Sequence, residues 1–374
     1  MKPIQMVDLQ GQYAHIKEEI DAAVGNVLAE ARYINGPAVS DFASALAAYT
    51  GAAHVVTCAS GTDALYLALR ALDLQPGDEV VTVPFTFVST IEVIAMLGLK
   101  PVLVDVTPDT FCMDVSKIEN VITPRTKAIL PVHLFGQCAD MEHIIAIARA
   151  HNLYVVEDAC QAIGAEVTFS DGTVHQAGTM GDVGCTSFFP SKNLGCFGDG
   201  GAVFTQTDAL AAKIRSMANH GMSEKYYYEC VGLNSRLDTL QAAILQVKLR
   251  HLGEYIAARQ DAAARYNTAL QNVAYLQTPT LASYSTHVYH QYTLRILDGS
   301  RKARTEQLSA HDIPYAIYYP LPLHLQQAYR HRGYSEGAFP VSEMLSRQVL
   351  SLPMHTELTE EQIHHIASVL AVGY

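Results

Sequence analysis

The feature that most constrains this chain is a series of short, continuous apolar segments, rich in β-branched residues, that alternate with helical stretches between about Val55 and Thr205. The strand candidates are residues 54–57, 79–83, 101–105, 128–132, 153–157, 185–189 and 201–204. Segments without apolar/polar alternation bury both faces, as strands do when crossover helices cover a mostly parallel sheet on each side. Stretches 63–72 and 141–151 supply such crossovers. The expected fold class is therefore α/β.

Two further helical stretches, 16–32 and 39–49, precede this region and are separated by Gly36-Pro37. A long one, 237–270, follows it with a possible break at Gly253, and a mixed segment runs from Val273 to the end. A chain of 374 residues exceeds the usual size of one domain. The expected division is 1–250, a large domain that includes the N-terminal helices, and 251–374, a small C-terminal domain.

Composition excludes several function classes. With 49% hydrophobic and 17% charged residues, the chain can build a globular core. A net charge of −12 disfavours nucleic-acid binding, which needs a surface rich in Lys and Arg. The N-terminal residues have no signal-like apolar run, and the apolar stretch 90–106 is broken by Glu92, Lys100 and Pro101. The expectation is a cytoplasmic protein with no membrane partner. Seven cysteines, without C-x-x-C pairs, suggest neither a disulfide framework nor a metal site.

Three segments carry chemistry. The first is 58–65, Cys-Ala-Ser-Gly-Thr-Asp-Ala-Leu, after a strand candidate and at a helix start. Backbone N–H groups there favour phosphate, Gly61 allows close approach, and Thr62 adds a hydroxyl. The same residues also suit an ordinary helix cap. No P-loop ending and no G-x-G-x-x-G spacing is found, which removes support for nucleotide hydrolysis and hydride transfer.

The second segment, Val155-Val156-Glu157-Asp158-Ala159-Cys160-Gln161, places Asp158 beyond a buried strand's carboxyl end, where open α/β sheets hold ligands. A carboxylate there can pair with a protonated pyridine nitrogen. It can equally cap the next helix. The third is Phe188-Phe189-Pro190-Ser191-Lys192-Asn193-Leu194-Gly195, a lysine between an apolar run and a glycine-rich loop, with Ser187 five residues earlier. Most loop lysines face water. One held in a close-packed loop can lose its proton and attack an aldehyde. Together the segments provide a phosphate cradle, an acid and an amine, the set that pyridoxal 5'-phosphate needs.

At these residues the chain resembles the DegT/StrS family of nucleotide-sugar aminotransferases. The likeness runs from Val7-Asp8-Leu9 through Tyr33-Ile34-Asn35-Gly36-Pro37 to Ser351-Leu352-Pro353-Met354-His355. The resemblance implies the fold type I architecture of pyridoxal-phosphate transferases, similar to aspartate aminotransferase. That means a seven-stranded, mostly parallel sheet in the large domain and a smaller α/β domain. It implies Lys192 as the Schiff-base lysine and Asp158 as the ring-nitrogen partner. Gly61, Thr62 and Ser187 are implied phosphate ligands, Phe87 the ring-stacking aromatic, and Gln161 the contact to the ring hydroxyl. Asn234 is implied to reach the phosphate of a neighbouring subunit, hence a homodimer with shared active sites. Arg236, Tyr319 and His324 are substrate-side candidates. The implied reaction moves an amino group from L-glutamate to a 3-oxo nucleotide sugar in surface-polysaccharide biosynthesis. A UDP-linked 2-acetamido-3-oxo-glucuronate is the nearest substrate, and a dTDP-3-oxo-6-deoxyhexose is the alternative. A sugar dehydratase would carry His in place of Lys192, and a non-catalytic regulatory relative would show damage in the cofactor set. Two departures from the family pattern are Cys160, where Ala is usual, and Tyr318, where His is frequent.

Overall fold

The computed structural model describes residues 2–330 and 333–371. Its main sheet has seven strands in the order β1 (His54–Cys58), β9 (Gly201–Thr205), β8 (Val183–Ser187), β5 (Tyr154–Asp158), β4 (Thr126–Ile129), β2 (Glu79–Thr82) and β3 (Lys100–Leu103). Neighbours from β8 to β3 pair in parallel, while β9 runs antiparallel to both β8 and β1. All seven expected strands are present, with ends shifted by up to three residues. Every residue of β2, β8 and β9 is buried, which is why their sequences do not alternate. No described helix is long and apolar enough to cross a membrane.

Helix α4 (Gly61–Ala71) packs on β8 and β9, and α6 (Met141–His151) follows β4. Ahead of the sheet lie α1 (Leu9–His15), α2 (Lys17–Glu30) and α3 (Pro37–Thr50). Among the elements not anticipated are one helix and two hairpins inside the sheet region and just after it. Helix α5 (Ser89–Met96) spans only eight residues, and two hairpins, β6 (Glu166–Thr168) with β7 (Val174–Gln176) and β10 (Met222–Glu224) with β11 (Tyr227–Tyr228), have strands of two or three. Such short elements leave no periodic signal. Helix α7 (Asp208–Ala218) flanks β1 and β9.

The long helical stretch is two helices, α8 (Thr239–Arg250) and α9 (Leu252–Leu270). They part at His251, two residues before the expected break, and Gly253 lies inside α9 with open space beside its Cα. Beyond α8, a separate apolar cluster gathers Tyr266, Leu294, Leu308 and Ile366 from α9, β13 (Tyr292–Ile296), α10 (Arg301–Ala310) and α12 (Glu360–Ala371). Strand β13 pairs with β12 (Leu276–Gln277) and β14 (Val349–Leu352), and α11 (Pro340–Gln348) leads into β14.

The N-terminal ends of three sheet strands are clamped by one buried carboxylate. Glu79, 1% exposed, accepts from Lys100 Nζ at 3.0 Å, Arg125 Nη2 at 3.2 Å, Thr123 Oγ1 at 2.5 Å and Thr126 Oγ1 at 3.3 Å. Burial opposes its charge, but these donors outweigh it and lower its pKa to about 2. Its contribution to stability is therefore complete above the ordinary glutamate range and is lost as pH falls towards 2. Thermal unfolding at neutral pH should find Glu79→Ala less stable by about 2 kcal/mol. The deficit should shrink on acidification, and a pH-independent deficit would contradict the clamp.

Candidate active site

At the carboxyl ends of the parallel strands lies a cavity of about 440 Å³. Its lining includes Gly61, Thr62, Phe87, Asp158, Gln161, Ser187, Lys192 and Tyr319. Segments more than a hundred residues apart in sequence thus converge, because all of these but Tyr319 lie at or just beyond the end of a sheet strand.

The floor is the first turn of α4. Ser60, extended at φ −162°, caps the helix by accepting from Asp63 N at 3.1 Å. The cap reading of the 58–65 segment holds at Ser60, and Gly61 and Thr62 are left as the first helical residues, whose N–H groups have no carbonyl one turn back. A Cβ on Gly61 would lie 2.7 Å from Ser187 Cβ and 3.1 Å from Cys160 Sγ. Ser89, at the start of α5, bonds Thr62 Oγ1 at 2.7 Å and fixes that hydroxyl at the cavity edge.

Asp158 ends β5 and is 6% exposed. Its Oδ2 accepts from Thr90 Oγ1 at 2.9 Å, Thr90 in turn meets Thr86 Oγ1 at 3.1 Å, and Oδ1 accepts from Cys160 N at 3.2 Å. Behind it, fully buried Glu157 accepts from Gly178 N, Met180 N and Gly181 N at 2.6–2.8 Å and pairs with His133 Nε2 at 3.0 Å. This network locks the strand end that carries Asp158, so the carboxylate is held on both sides.

Lys192 sits on a loop folded tightly against itself. Lys192 N donates to Phe189 O and Cys196 N to Phe188 O, both at 2.8 Å, and a Cβ on Gly195 would fall 2.3 Å from Pro190 O. Burial pushes the Lys192 amine below the ordinary lysine range, against the opposing pull of Cys160 and Asp158. Burial also drives the Cys160 thiol well up, so Asp158 is the anion that faces the amine. Another lysine, fully buried Lys248 on α8, donates to Gly195 O at 2.6 Å and braces this loop from outside the cavity.

One wall is aromatic. Phe87, 53% exposed, stands 6.5 Å centroid to centroid from Tyr319. Gln161 joins the two walls: its Oε1 accepts from Phe135 N at 2.7 Å and its Nε2 donates to Tyr319 OH at 3.2 Å. Pyridoxal phosphate fits this set. Lys192 suits its aldehyde, Asp158 its ring nitrogen, Phe87 its ring face, and the α4 turn with Ser187 its phosphate.

Three expected residues do not reach the cavity of their own chain. Asn234 bridges Asn219 instead, and Arg236 Nη1 donates to Asn219 Oδ1 at 3.4 Å beside a different surface hollow. His324, 1% exposed, is a packed residue whose Nε2 meets Glu343 Oε1 at 3.0 Å. Its expected substrate contact is corrected by that burial. Conversely, Ser89, Thr90, Asp199, His290 and Gln291 join or support the site without having been singled out. Ser89 and Thr90 follow Phe87 in a segment whose hydroxyls gave no separate signal.

The fold, with an amine and an acid lining one cavity at the strand ends, is that of a transferase of the fold type I architecture. The chain belongs to the DegT/DnrJ/EryC1/StrS aminotransferase family, whose model matches residues 14–371. It is 45% identical over 367 residues to the UDP-2-acetamido-2-deoxy-3-oxo-D-glucuronate aminotransferase of Pseudomonas aeruginosa, covering 98% of this chain and 99% of that one. It is also 45% identical over 367 residues to a UDP-N-acetyl-3-dehydro-alpha-D-glucosamine 3-aminotransferase of Acidithiobacillus ferrooxidans, covering 98% and 97%. The crystal structure of S. venezuelae DesV in complex with a ketimine intermediate superposes with a TM-score of 0.95 at 39% identity, covering 99% of this chain and 98% of that one.

The tight fit at Gly61 is open to test. Gly→Ala inside a helix ordinarily stabilises by up to about 1 kcal/mol. Here the added methyl meets Ser187 and Cys160, so Gly61→Ala should instead destabilise by about 1–3 kcal/mol in chemical unfolding. A stabilised variant would show that the first turn has room to spare.

Proposed function

We propose that this enzyme transfers the amino group of L-glutamate to the C3 carbonyl of a UDP-linked 2-acetamido-2-deoxy-3-oxo sugar of the glucuronate type. The product is the 3-amino sugar, and glutamate leaves as 2-oxoglutarate. The observation that carries the reading is that half-buried Lys192 and buried Asp158 line one cavity that ends on the first turn of α4. The substrate class rests on the Pseudomonas and Acidithiobacillus relatives, both named for UDP-linked 3-oxo sugars.

The cofactor is pyridoxal 5'-phosphate, which supplies an aldehyde that captures amines and a ring that accepts electrons. Lys192 supplies the primary amine that holds that aldehyde at rest. Burial lowers its proton affinity, which favours the free amine, so Nζ can accept a proton from the amino donor's α-carbon and return one on the far side of the transfer. Asp158, fixed by Thr90 and by the Cys160 N–H, would pair with the protonated ring nitrogen. Gly61, Thr62 and Ser187 would meet the phosphate with neutral donors, and Phe87 would cover the ring. Tyr319 and Gln161 line the wall from which substrate enters.

Two chains complete the site. Asn234 and Arg236, away from their own cavity, are assigned to the cavity of a second copy, with Asn234 on the cofactor phosphate and Arg236 on the sugar side. The exposed Phe87, Phe189 and Phe197 offer apolar surface near the site for that copy. The setting is the cytoplasm, where nucleotide sugars for surface polysaccharides are made.

Purified enzyme given glutamate and the UDP-3-oxo sugar should form the 3-amino sugar and an equal amount of 2-oxoglutarate, followed by mass spectrometry. Lys192→Ala should lower turnover by about 10³-fold or more and remove the yellow absorbance of the bound cofactor. A yellow, active variant, or turnover of dTDP-3-oxo-6-deoxyhexoses alone, would overturn the assignment of Lys192 or of the substrate, respectively.

A further inference from the structure

A phosphate monoester carries about −1.5 to −2 charges near neutral pH. The cavity offers the cofactor phosphate little positive charge in return. Among the described residues that line it, Lys192 is the one lysine or arginine, and its amine is committed to the aldehyde. Asn234, assigned above to the phosphate of a second copy, is neutral too. An anion held without a cation depends on how well its neutral hydrogen-bond donors are aimed and polarised.

The hydroxyls at that end of the cavity share one arrangement. Ser187 stands beside the first turn of α4, since a Cβ on Gly61 would lie 3.1 Å from its Oγ. That Oγ accepts from Phe189 N at 3.3 Å, which leaves the Ser187 proton free for a ligand. Behind the Thr62 hydroxyl stands a side chain instead. Its Oγ1 lies 2.7 Å from Oγ of Ser89, which is 6% exposed and also lines the cavity. A serine at the start of a helix ordinarily bonds the backbone of its own first turn. Ser89, the first residue of α5, bonds instead across 27 residues to α4. The turn that carries it is fixed. Ile91 N and Glu92 N donate to Val88 O at 3.1 and 3.0 Å, and the next side chain, Thr90, donates to Asp158 Oδ2 at 2.9 Å.

Between two hydroxyls either oxygen can donate, and a ligand removes that freedom. A phosphate dianion only accepts. With a phosphate oxygen at Thr62, the Thr62 proton goes to the ligand, and Ser89 becomes the donor to Thr62 Oγ1. Each bond in such a chain polarises the next, so a donor at Thr62 Oγ1 strengthens the bond that Thr62 makes.

We propose that Ser89 is a positioning residue for the cofactor phosphate: its hydroxyl donates to Thr62 Oγ1 and so directs the Thr62 proton at a phosphate oxygen. The inference rests on the reading of the first turn of α4 as the phosphate cradle. Ser89 and Thr90 then serve opposite ends of one bound molecule from adjacent positions. Ser89 acts through Thr62 at the phosphate, and Thr90 acts through Asp158 at the ring nitrogen.

The test measures binding, not turnover. Full-length apo-enzyme is titrated with pyridoxal 5'-phosphate and with pyridoxal, which lacks the phosphate, and each dissociation constant is read from the visible absorbance of the bound form. The panel is the native chain, Ser89→Ala, Thr62→Val and the double variant. Alanine is the best helix former, so Ser89→Ala retains the α5 turn. It should weaken pyridoxal 5'-phosphate binding about five- to tenfold and leave pyridoxal within about twofold. Ser89→Cys, of similar shape but with a weak donor, is the second variant and should show the same selective loss in smaller measure. Thr62→Val should weaken binding of the phosphate ester about tenfold or more. Added to Thr62→Val, Ser89→Ala should cost less than about twofold further, because the relay has lost its second member. Equal losses for both ligands, the result of a merely structural role for Ser89, overturn the proposal. So does a Ser89 effect that persists in full without the Thr62 hydroxyl. If Thr62→Val leaves pyridoxal 5'-phosphate affinity unchanged, the reading of the cradle has failed and the relay falls with it. A weakened Thr62→Val beside an unaffected Ser89→Ala removes only the role of Ser89.

Discussion

The architecture of this site follows from the cost of burying one primary amine. Lysine in water is almost wholly protonated at neutral pH and useless as a nucleophile, and only removal from water makes the free amine accessible. Lys192 is half-buried on a loop that closes through Phe189 O, Phe188 O and the close approach of Gly195 to Pro190. That same burial would expel the amine's charge altogether if nothing opposed it. Asp158 does so, and it is itself immobilised from the front by Thr90 and from behind by the Glu157–His133 network. The amine is thus balanced between desolvation and attraction, and the rest of the cavity is arranged around that balance.

The parallel sheet makes the arrangement possible. β5 and β8 deliver Asp158 and Ser187 at adjacent strand ends, in a register that pairs Asp158 with Cys185. The α4 turn returns to the same end from β1, which contacts the others through β9. No single segment approaches a site alone, yet the strand order brings anion cradle, acid and amine within one small cavity.

Where the sequence spoke plainly, it did so through local signals. The seven strands were legible because buried runs such as Val155–Val156 and Val80–Val81 carry no polar interruption. Asp158 and Lys192 stood out because each directly follows such a run. What remained hidden was contact between distant segments. Thr90 acts on a carboxylate 68 residues away, and the tie from Asn193 to Val288 spans 95 residues. His324 was read from its neighbours in sequence, but its partner Glu343 lies 19 residues on, in another helix. The break between α8 and α9 fell at His251 rather than Gly253, because a glycine in the first turn of a helix is tolerated when tertiary packing holds the turn.

Two lysines flank the same loop, half-buried Lys192 lining the cavity and fully buried Lys248 outside it, and desolvation lowers the proton affinity of both, that of Lys248 to about 8. Low basicity alone therefore does not select the anchor; the acid and the anion cradle beside it do. Borohydride reduction of the holoenzyme, followed by proteolysis and peptide mass spectrometry, discriminates directly. The phosphopyridoxyl group should be found on the peptide containing Lys192, and its recovery on Lys248 or any other lysine would contradict the account.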